Sequence, residues 1–481
     1  MSEFKSNSIE EVDDAYKTLH ATFRAGITRP FSWRKHQLNQ VILMLRENID
    51  IIVQALATDL RKPSQETIVG EIGTIVRRAT QSAAQLDEWA SDEIVTVPDW
   101  QQGWSPTVLK RPKGVVLVIS PWNYPIALSL QPVVGAIAAG CPALLKPSEI
   151  SPATSSVLAD LYPKYLDQSA YRVINGGVPE VTYLLKLKWD HIMYTGNAVI
   201  ARIVAKAAAE HLTPVTLELG GKSPVVIDPK TTNLKIAAKR VLWGKTVNAG
   251  QICVAPDYVL IPRSAQDDFV EAIKEAAVEL HIDSTLTSDS YSSIVSEGHF
   301  KRLQNMMTKS SGKLVVGGNT DEQNRRITPT VYRDVEKDDS LLEGEIFGPV
   351  LPIVPVDDIR QAIEYINAHP HPLTLYAFTE DPEVKQTLRD ETRSGSLNFN
   401  DVIQPLAVDQ LPFSGVGESG YGHQTLKYSY DEYTYLRSSV DIPLALEPHF
   451  SARYPPYTQA TTEALAVHSG AIEAPATGAK L

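Results

Sequence analysis

The sequence predicts an α/β protein built on doubly wound parallel sheets. Gly114-Val115-Val116-Leu117-Val118-Ile119 is a nearly continuous β-branched run, the texture of a strand buried on both faces. Strand and helix then alternate. A helix over about 126–139 stops at Gly140, a strand runs from Pro142 to Lys146, and Ser151-Pro152 opens another helix. Short strands at Tyr171–Ile174 and His191–Tyr194 are each followed by a helix. A second strand–helix series begins at Ser223-Pro224-Val225-Val226-Ile227-Asp228 and continues to about residue 400.

The flanking segments read differently. Ser8 is placed to cap a helix carrying Glu10 and Glu11 in its first turns, and apolar residues recur at helical spacing through Val41–Leu45 and Ile51–Val53. Lys62-Pro63-Ser64 breaks this run before a further helical stretch over about 66–90. Trp100, Trp104, Pro98, Pro106 and Thr107-Val108-Leu109 suggest a hairpin over about 95–113 that leaves the main body. Residues 404–423 are rich in Pro and Gly. From about 458 the chain is Ala/Thr/Gly-rich without periodicity, and a largely disordered tail is expected there.

Composition narrows the classes. A chain of 481 residues is too long for one ordinary core, so two or three domains are expected. The formal net charge of −12 argues against nucleic acid or an anionic membrane surface as main partner. Two cysteines make no disulfide framework, and a reducing compartment fits them. The opening MSEFKSNSIEEVDDAYK has early acids and no apolar core, unlike a secretory signal. Gly114 to Leu145 carries no charge, but Ser120–Pro125, Gln131-Pro132 and Cys141-Pro142 interrupt it. It reads as buried strand, helix and strand, with no membrane span expected.

Several segments offer chemistry. Cys253 ends Asn248-Ala249-Gly250-Gln251-Ile252-Cys253, a short polar turn between apolar runs. Glu218 stands before Leu219-Gly220-Gly221-Lys222. A thiol and a carboxylate beside glycine turns suit a nucleophile and its base, although a lone cysteine is more often packing. Asn123 follows the strand ending at Ile119, at the edge where open α/β sheets bind ligands. It reads either as a donor to a developing oxyanion or as a plain turn residue. Lys146 and Glu149, in Lys-Pro-Ser-Glu at another strand end, read as a ribose grip or as a solvated loop. Gly196 follows a strand and opens a helix like a phosphate-approach turn, without a G-x-G-x-x-G pattern. Glu345 and Phe347, in Glu-Ile-Phe-Gly-Pro, read alone as a structural loop. The histidines are scattered and no metal site is expected.

Together these motifs resemble the aldehyde dehydrogenase superfamily over about residues 10–457. Pro121–Pro125, Lys146–Glu149, Glu218–Lys222, Asn248–Cys253 and Glu345–Pro349 occur in family order and spacing. Tyr194–Asn197, Leu212–Glu218, Cys253–Tyr258 and Arg453–Tyr457 narrow the resemblance to its class 3, fatty-aldehyde-like branch. The resemblance implies NAD(P)-dependent oxidation of an apolar aldehyde, aliphatic or aromatic, to the acid. Cys253 would be the nucleophile, Glu218 the base for deacylation, and Asn123 with the Cys253 amide the oxyanion donors. Lys146, helped by Glu149, would hold the adenosine ribose of NAD or NADP, and Glu345 with Phe347 the nicotinamide ribose, while Lys222 would be supportive. The implied organisation is a cofactor domain (1–95 with 114–218), a catalytic domain (219–403), a small β dimerisation arm (96–113 with 404–448) and a flexible tail (458–481). A homodimer is implied.

Departures from the family pattern are Ile252 for threonine, Ala201 for glycine, Pro405 for histidine, Ser414 for glycine and Gln424-Thr425-Leu426 for Tyr-His-Gly before Lys427. They leave the substrate open. The alternatives are a CoA-acylating relative, against which Glu218 argues, and a non-enzymatic binding protein on the same scaffold, against which the intact Cys253, Asn123, Glu218 and Glu345 argue. Ala479-Lys480-Leu481 is a close variant of the Ser-Lys-Leu peroxisomal address, so a cytoplasmic or peroxisomal location is expected.

Overall fold

The computed structural model describes residues 4–473, apart from the side chain of Pro405. Two large sheets establish the α/β class. The first is built from β1 (Val116–Ile119), β2 (Ala143–Lys146), β3 (Tyr171–Val173), β4 (His191–Thr195) and β5 (Val215–Glu218). The second contains β6 (Pro224–Ile227), β7 (Tyr258–Pro262), β8 (Lys313–Val316), β9 (Thr330–Arg333), β10 (Val350–Val356), β11 (Thr374–Phe378) and β12 (Ser396–Phe399). A short strand, β13 (Gly420–Tyr421), returns to the edge of the first sheet.

The first sheet has the order β13-β5-β4-β1-β2-β3. All its pairings are parallel except β13 with β5. Strand order therefore reverses between β1 and β4, the point beyond whose carboxyl ends open α/β sheets place a ligand crevice. The second sheet runs β8-β9-β10-β7-β6-β11-β12 and is parallel except for β8 with β9. Successive residues of β6 enter opposite cores. Val226 packs with Leu260 and Leu375, whereas Val225 and Ile227 pack with Val259, Ile261 and Phe269. Burial on both faces is the reason these strands are continuous apolar runs.

The expected elements form with small shifts. Helix Ile9–Ala25 begins in a capping box, with the Glu11 amide donating to Ser8 Oγ and the Ser8 amide to Glu11. Helix Ala127–Ala139 ends at Gly140, whose φ of 86° is left-handed; a Cβ there would meet the Arg34 guanidinium at 2.6 Å. Helix Pro152–Tyr165 receives its cap from another element: Asp59 accepts from the amides of Ala153 and Thr154 at 3.0 and 2.8 Å. The stretch after Pro63 departs from ordinary α-helix. Residues Thr67–Gly73 are π-helical before the helix resumes at Thr74–Ala90.

The chain divides into two compact units. The larger comprises the chain up to Trp89 with Pro112–Tyr435, and the smaller Ala90–Arg111 with the segment from Leu436 onward. This moves the boundaries of the expected arm. Residues 404–435 belong to the larger unit, because β13 pairs with β5 and both Arg77 and Arg78 bind Asp409. In the smaller unit, strands Glu93–Ile94 and Thr107–Pro112 form the expected hairpin, with Thr434–Ser439 as third strand. Residues Gln459–His468 are helical where no periodicity was legible. Thr458 caps them, and His468 lies 4.7 Å from the Trp100 ring. Ala479–Leu481 lie outside the described residues. No helix of the described residues is long and apolar enough to cross a membrane.

Candidate active site

Cys253 follows a run of left-handed backbone: φ is 49° at Asn248, 50° at Ala249 and 69° at Gly250. A Cβ at Gly250 would stand 2.3 Å from the Gly348 carbonyl oxygen, so only glycine lets this turn seat against the Glu345–Pro349 loop. Side chains hold the strained turn from three directions. The Asn248 amide donates to Glu66 at 2.9 Å, and Asn248 Nδ2 donates to the Asn123 carbonyl at 3.0 Å. Gln251 Nε2 reaches the carbonyls of Asn248 and Ser293, each at 3.0 Å, while its Oε1 accepts from the Val295 amide at 3.0 Å.

Asn123 is buried in the turn after β1, and its Nδ2 donates to the Gln251 carbonyl at 3.1 Å. Below it lies an ion pair of fully buried side chains. Lys62 Nζ reaches Glu71 at 2.5 Å and also donates to the Asn123 carbonyl at 2.9 Å. The other Glu71 oxygen accepts from the amides of Ile126 and Ala127, at the start of helix Ala127–Ala139. Lys62 also sits over the Tyr124 ring, 3.8 Å from its centroid.

Glu218 ends β5, two per cent exposed, and neither carboxyl oxygen completes a hydrogen bond among the described residues. Burial pushes its carboxyl well above the usual range, the Gln424 amide beside it pulls the other way, and the charge of Glu432 adds to the rise. Burial likewise raises the Cys253 thiol, helped by the charges of Glu345 and Glu218. Asn123, Glu218 and Cys253 all line one cavity of about 600 Å³. Gln424 lines it too.

The remaining candidates divide into two groups. Lys146 Nζ, at the carboxyl end of β2, donates to Glu149 at 2.7 Å and to the Gly176 carbonyl at 3.1 Å. Gly196 leaves the end of β4, its amide donating to the Glu218 carbonyl at 3.0 Å, before Asn197 caps helix Ala198–His211. Glu345 reaches Gly220 so closely that a Cβ there would stand 2.3 Å from its carboxylate. Burial and the charge of Asp257 push the Glu345 carboxyl up to about 8 against the pull of the Gly221 amide, Lys222 and Arg302. Lys222 pairs with Asp257 and donates to the carbonyls of Leu341 and Gly344, so it braces the Glu345 turn from below. Phe347 stacks edge-on with Trp122, their centroids 5.4 Å apart.

Lys62 falls in the expected helix break, and no sequence signal marks Glu66, Glu71 or Gln251 as parts of the site. The i, i+5 spacing of Glu66 and Glu71 is legible, but it points to one side only in a π-helix. The second cysteine behaves as packing. Cys141 is buried, donates to the Tyr433 carbonyl at 3.4 Å, and burial pushes its thiol up to about 11.

Two doubly wound sheets with a thiol, a carboxyl and an amide meeting in one cavity define an α/β enzyme. The family model for the aldehyde dehydrogenase family matches residues 1–439. Aldehyde dehydrogenase family 3 member A2 of Rattus norvegicus is 43% identical over 446 residues, 92% of this chain and 90% of that protein. The rat "aldehyde dehydrogenase, dimeric NADP-preferring" is 41% identical over 93% of this chain and 98% of its own length. Among solved structures, the substrate-bound state of Staphylococcus aureus AldH superposes with a TM-score of 0.92 at 36% identity, covering 95% of this chain and 99% of that one. The chain belongs to the aldehyde dehydrogenase family and is an NAD(P)-dependent enzyme acting on aldehydes.

Proposed function

We propose that the chain oxidises an apolar aldehyde to the acid through a thioester on Cys253. The observation that carries this reading is the convergence of Cys253, Asn123 and Glu218 on one cavity. The Cys253 sulfur, once deprotonated, bonds to the aldehyde carbon while the carbonyl electron pair moves onto oxygen. Asn123 spends one N–H on the Gln251 carbonyl and keeps the other for that oxyanion, together with the Cys253 amide. When the oxyanion electrons return, the carbon expels its hydrogen with the bonding pair, leaving the thioester. The nicotinamide ring supplies the acceptor for that hydride. Glu218 then takes a proton from water as the water oxygen bonds to the thioester carbon. The carbon–sulfur bond breaks, releasing acid and thiolate. A carboxyl pKa raised by burial suits this role, since it makes the carboxylate a stronger base than an exposed one.

The crevice where strand order reverses suits a dinucleotide. Lys146 and Glu149 would hold the adenosine ribose there, Gly196 would admit the phosphates, and Glu345 with Phe347 would hold the nicotinamide ribose. The pairing of Glu149 with Lys146 leaves a carboxylate where a 2′-phosphate would be repelled, so NAD is at least as good as NADP. Val69, Leu128, Trp243, Val247 and Leu406 on the cavity wall support an apolar substrate. The relative named as dimeric supports a homodimer.

Glu218→Gln followed by rapid mixing tests the mechanism. Hydride transfer continues and deacylation slows by about 10²–10⁴-fold, so a burst of reduced cofactor grows ahead of a slow steady state. Equal loss of burst and steady state removes Glu218 from this role.

A further inference from the structure

Three buried side-chain oxygens, on two residues that line the cavity, complete no hydrogen bond among the described residues. They are Oε1 and Oε2 of Glu218 and Oε1 of Gln424, on residues two and five per cent exposed. Unpaired buried acceptors are costly, and two residues that carry them on one largely apolar cavity wall call for a small molecule that donates. Water is the smallest molecule with two donors, enough to reach both residues.

The backbone holds this arrangement firmly. β13 pairs Gly420 with Glu218, while Phe413 and Gln424 exchange amide–carbonyl bonds at 3.0 and 2.8 Å. One residue further on, the Thr425 amide donates to Ser429 Oγ at 2.8 Å, and that hydroxyl also accepts from Gln131 at 3.2 Å. Main-chain bonds thus fix the backbone of Gln424, while its side-chain oxygen completes no hydrogen bond among the described residues. It belongs to Gln424-Thr425-Leu426, the stretch where this chain departs from the family's Tyr-His-Gly.

We infer that Gln424 is a positioning residue for the hydrolytic water, accepting one of its hydrogens through Oε1 while Glu218 takes the other. The inference rests on the thioester reading above. With both hydrogens engaged, a water lone pair is left to attack the thioester carbon. The proton passes to Glu218, the carbon–sulfur bond breaks, and the electron pair returns to Cys253. Gln424 exchanges no proton and takes no part in hydride transfer.

The test compares Gln424→Met with the unaltered enzyme, using a medium-chain aldehyde and NAD⁺ in rapid mixing. The expected result is an unchanged burst rate with a steady state reduced about ten-fold, the worth of one hydrogen bond to the attacking water. Hydroxylamine provides a readout that a purely structural role would not move. It is added in a second mixing step, after the acyl-enzyme has formed, so that it does not consume the aldehyde as the oxime. Its nitrogen attacks the thioester without needing a positioned water and expels the Cys253 thiolate. It thereby restores turnover of the acyl-enzyme in the variant and yields the hydroxamate. Equal loss of burst and steady state, an unchanged steady state, or failure of hydroxylamine to restore turnover would each overturn the inference. If Gln424→Met does not fold, Gln424→Asn gives the same comparison with the amide withdrawn by one methylene. Glu218→Gln separates the two levels of argument. A growing burst there with no effect at Gln424 rejects only the role of Gln424. Absence of a burst in Glu218→Gln rejects the thioester reading itself.

Discussion

Cys253 and Cys141 show how one residue type takes two roles according to its surroundings. Both thiols are raised by burial, but Cys253 lines the cavity and Cys141 is sealed beneath the Tyr433 carbonyl. Cys253→Ala is expected to abolish aldehyde oxidation while leaving NAD⁺ binding intact, as measured by turnover and by cofactor titration. Cys141→Ala is expected to keep activity near that of the unaltered enzyme. The same surroundings give the pH dependence its sign. A thiol and a carboxyl whose pKa values are raised reach their reactive, deprotonated forms only as pH climbs. kcat/KM is therefore expected to increase from acid through neutral into mildly alkaline solution. A kcat/KM profile that falls over that range would contradict the assignment of Cys253, and a kcat profile that falls would contradict that of Glu218.

At the scale of elements, the π-helical turn Thr67–Gly73 does what an α-helix would not. It brings Glu66 and Glu71 to the same side, one to hold the Asn248 amide and the other to pair with Lys62 and cap helix Ala127–Ala139. Glu71→Ala strands the Lys62 charge in the interior and frees two helix amides. It is expected to destabilise the fold by about 3–5 kcal/mol in urea unfolding and to lower kcat through the loosened Asn123 turn. Helix Ala198–His211 offers a change of opposite sign. Its C-cap Leu212 has a φ of 54° and is 90% exposed, so the side chain contributes little burial in a conformation that suits glycine. Leu212→Gly is expected to raise stability by about 1 kcal/mol, read as a higher denaturation midpoint.

For the whole molecule, the smaller unit is held by its own contacts. Trp100 meets Trp104 edge-on at 5.0 Å, Trp104 meets Phe450 at 5.7 Å, and the Asp441 amide donates to the Trp104 carbonyl at 2.8 Å. Location in the cell belongs to this scale as well, and for it we propose a peroxisomal address in Ala479-Lys480-Leu481, with a cytoplasmic enzyme as the alternative. An N-terminal fluorescent fusion is expected to appear in peroxisomes and to become diffuse when Ala479–Leu481 are removed. A diffuse signal from the full-length fusion rejects the address.

The features legible in the sequence are local and periodic. β1, β2 and β4 were legible because burial on both faces demands unbroken apolar runs, and helix ends were legible because Gly140 and Ser8 satisfy backbone rules set within a few residues. Cys253, Glu218 and Asn123 stood out as chemical groups in glycine- or proline-rich turns. Only the tertiary structure decided what surrounds them. The Lys62–Glu71 strut, the hold of Glu66 on Asn248, and Gln424 beside Glu218 join residues far apart in sequence, and no periodicity records such pairings. The place of 404–435 was decided in the same way. The family resemblance assigns this Pro- and Gly-rich stretch to the arm, yet the edge of β5 carries amides and carbonyls that must be paired, and β13 pairs them.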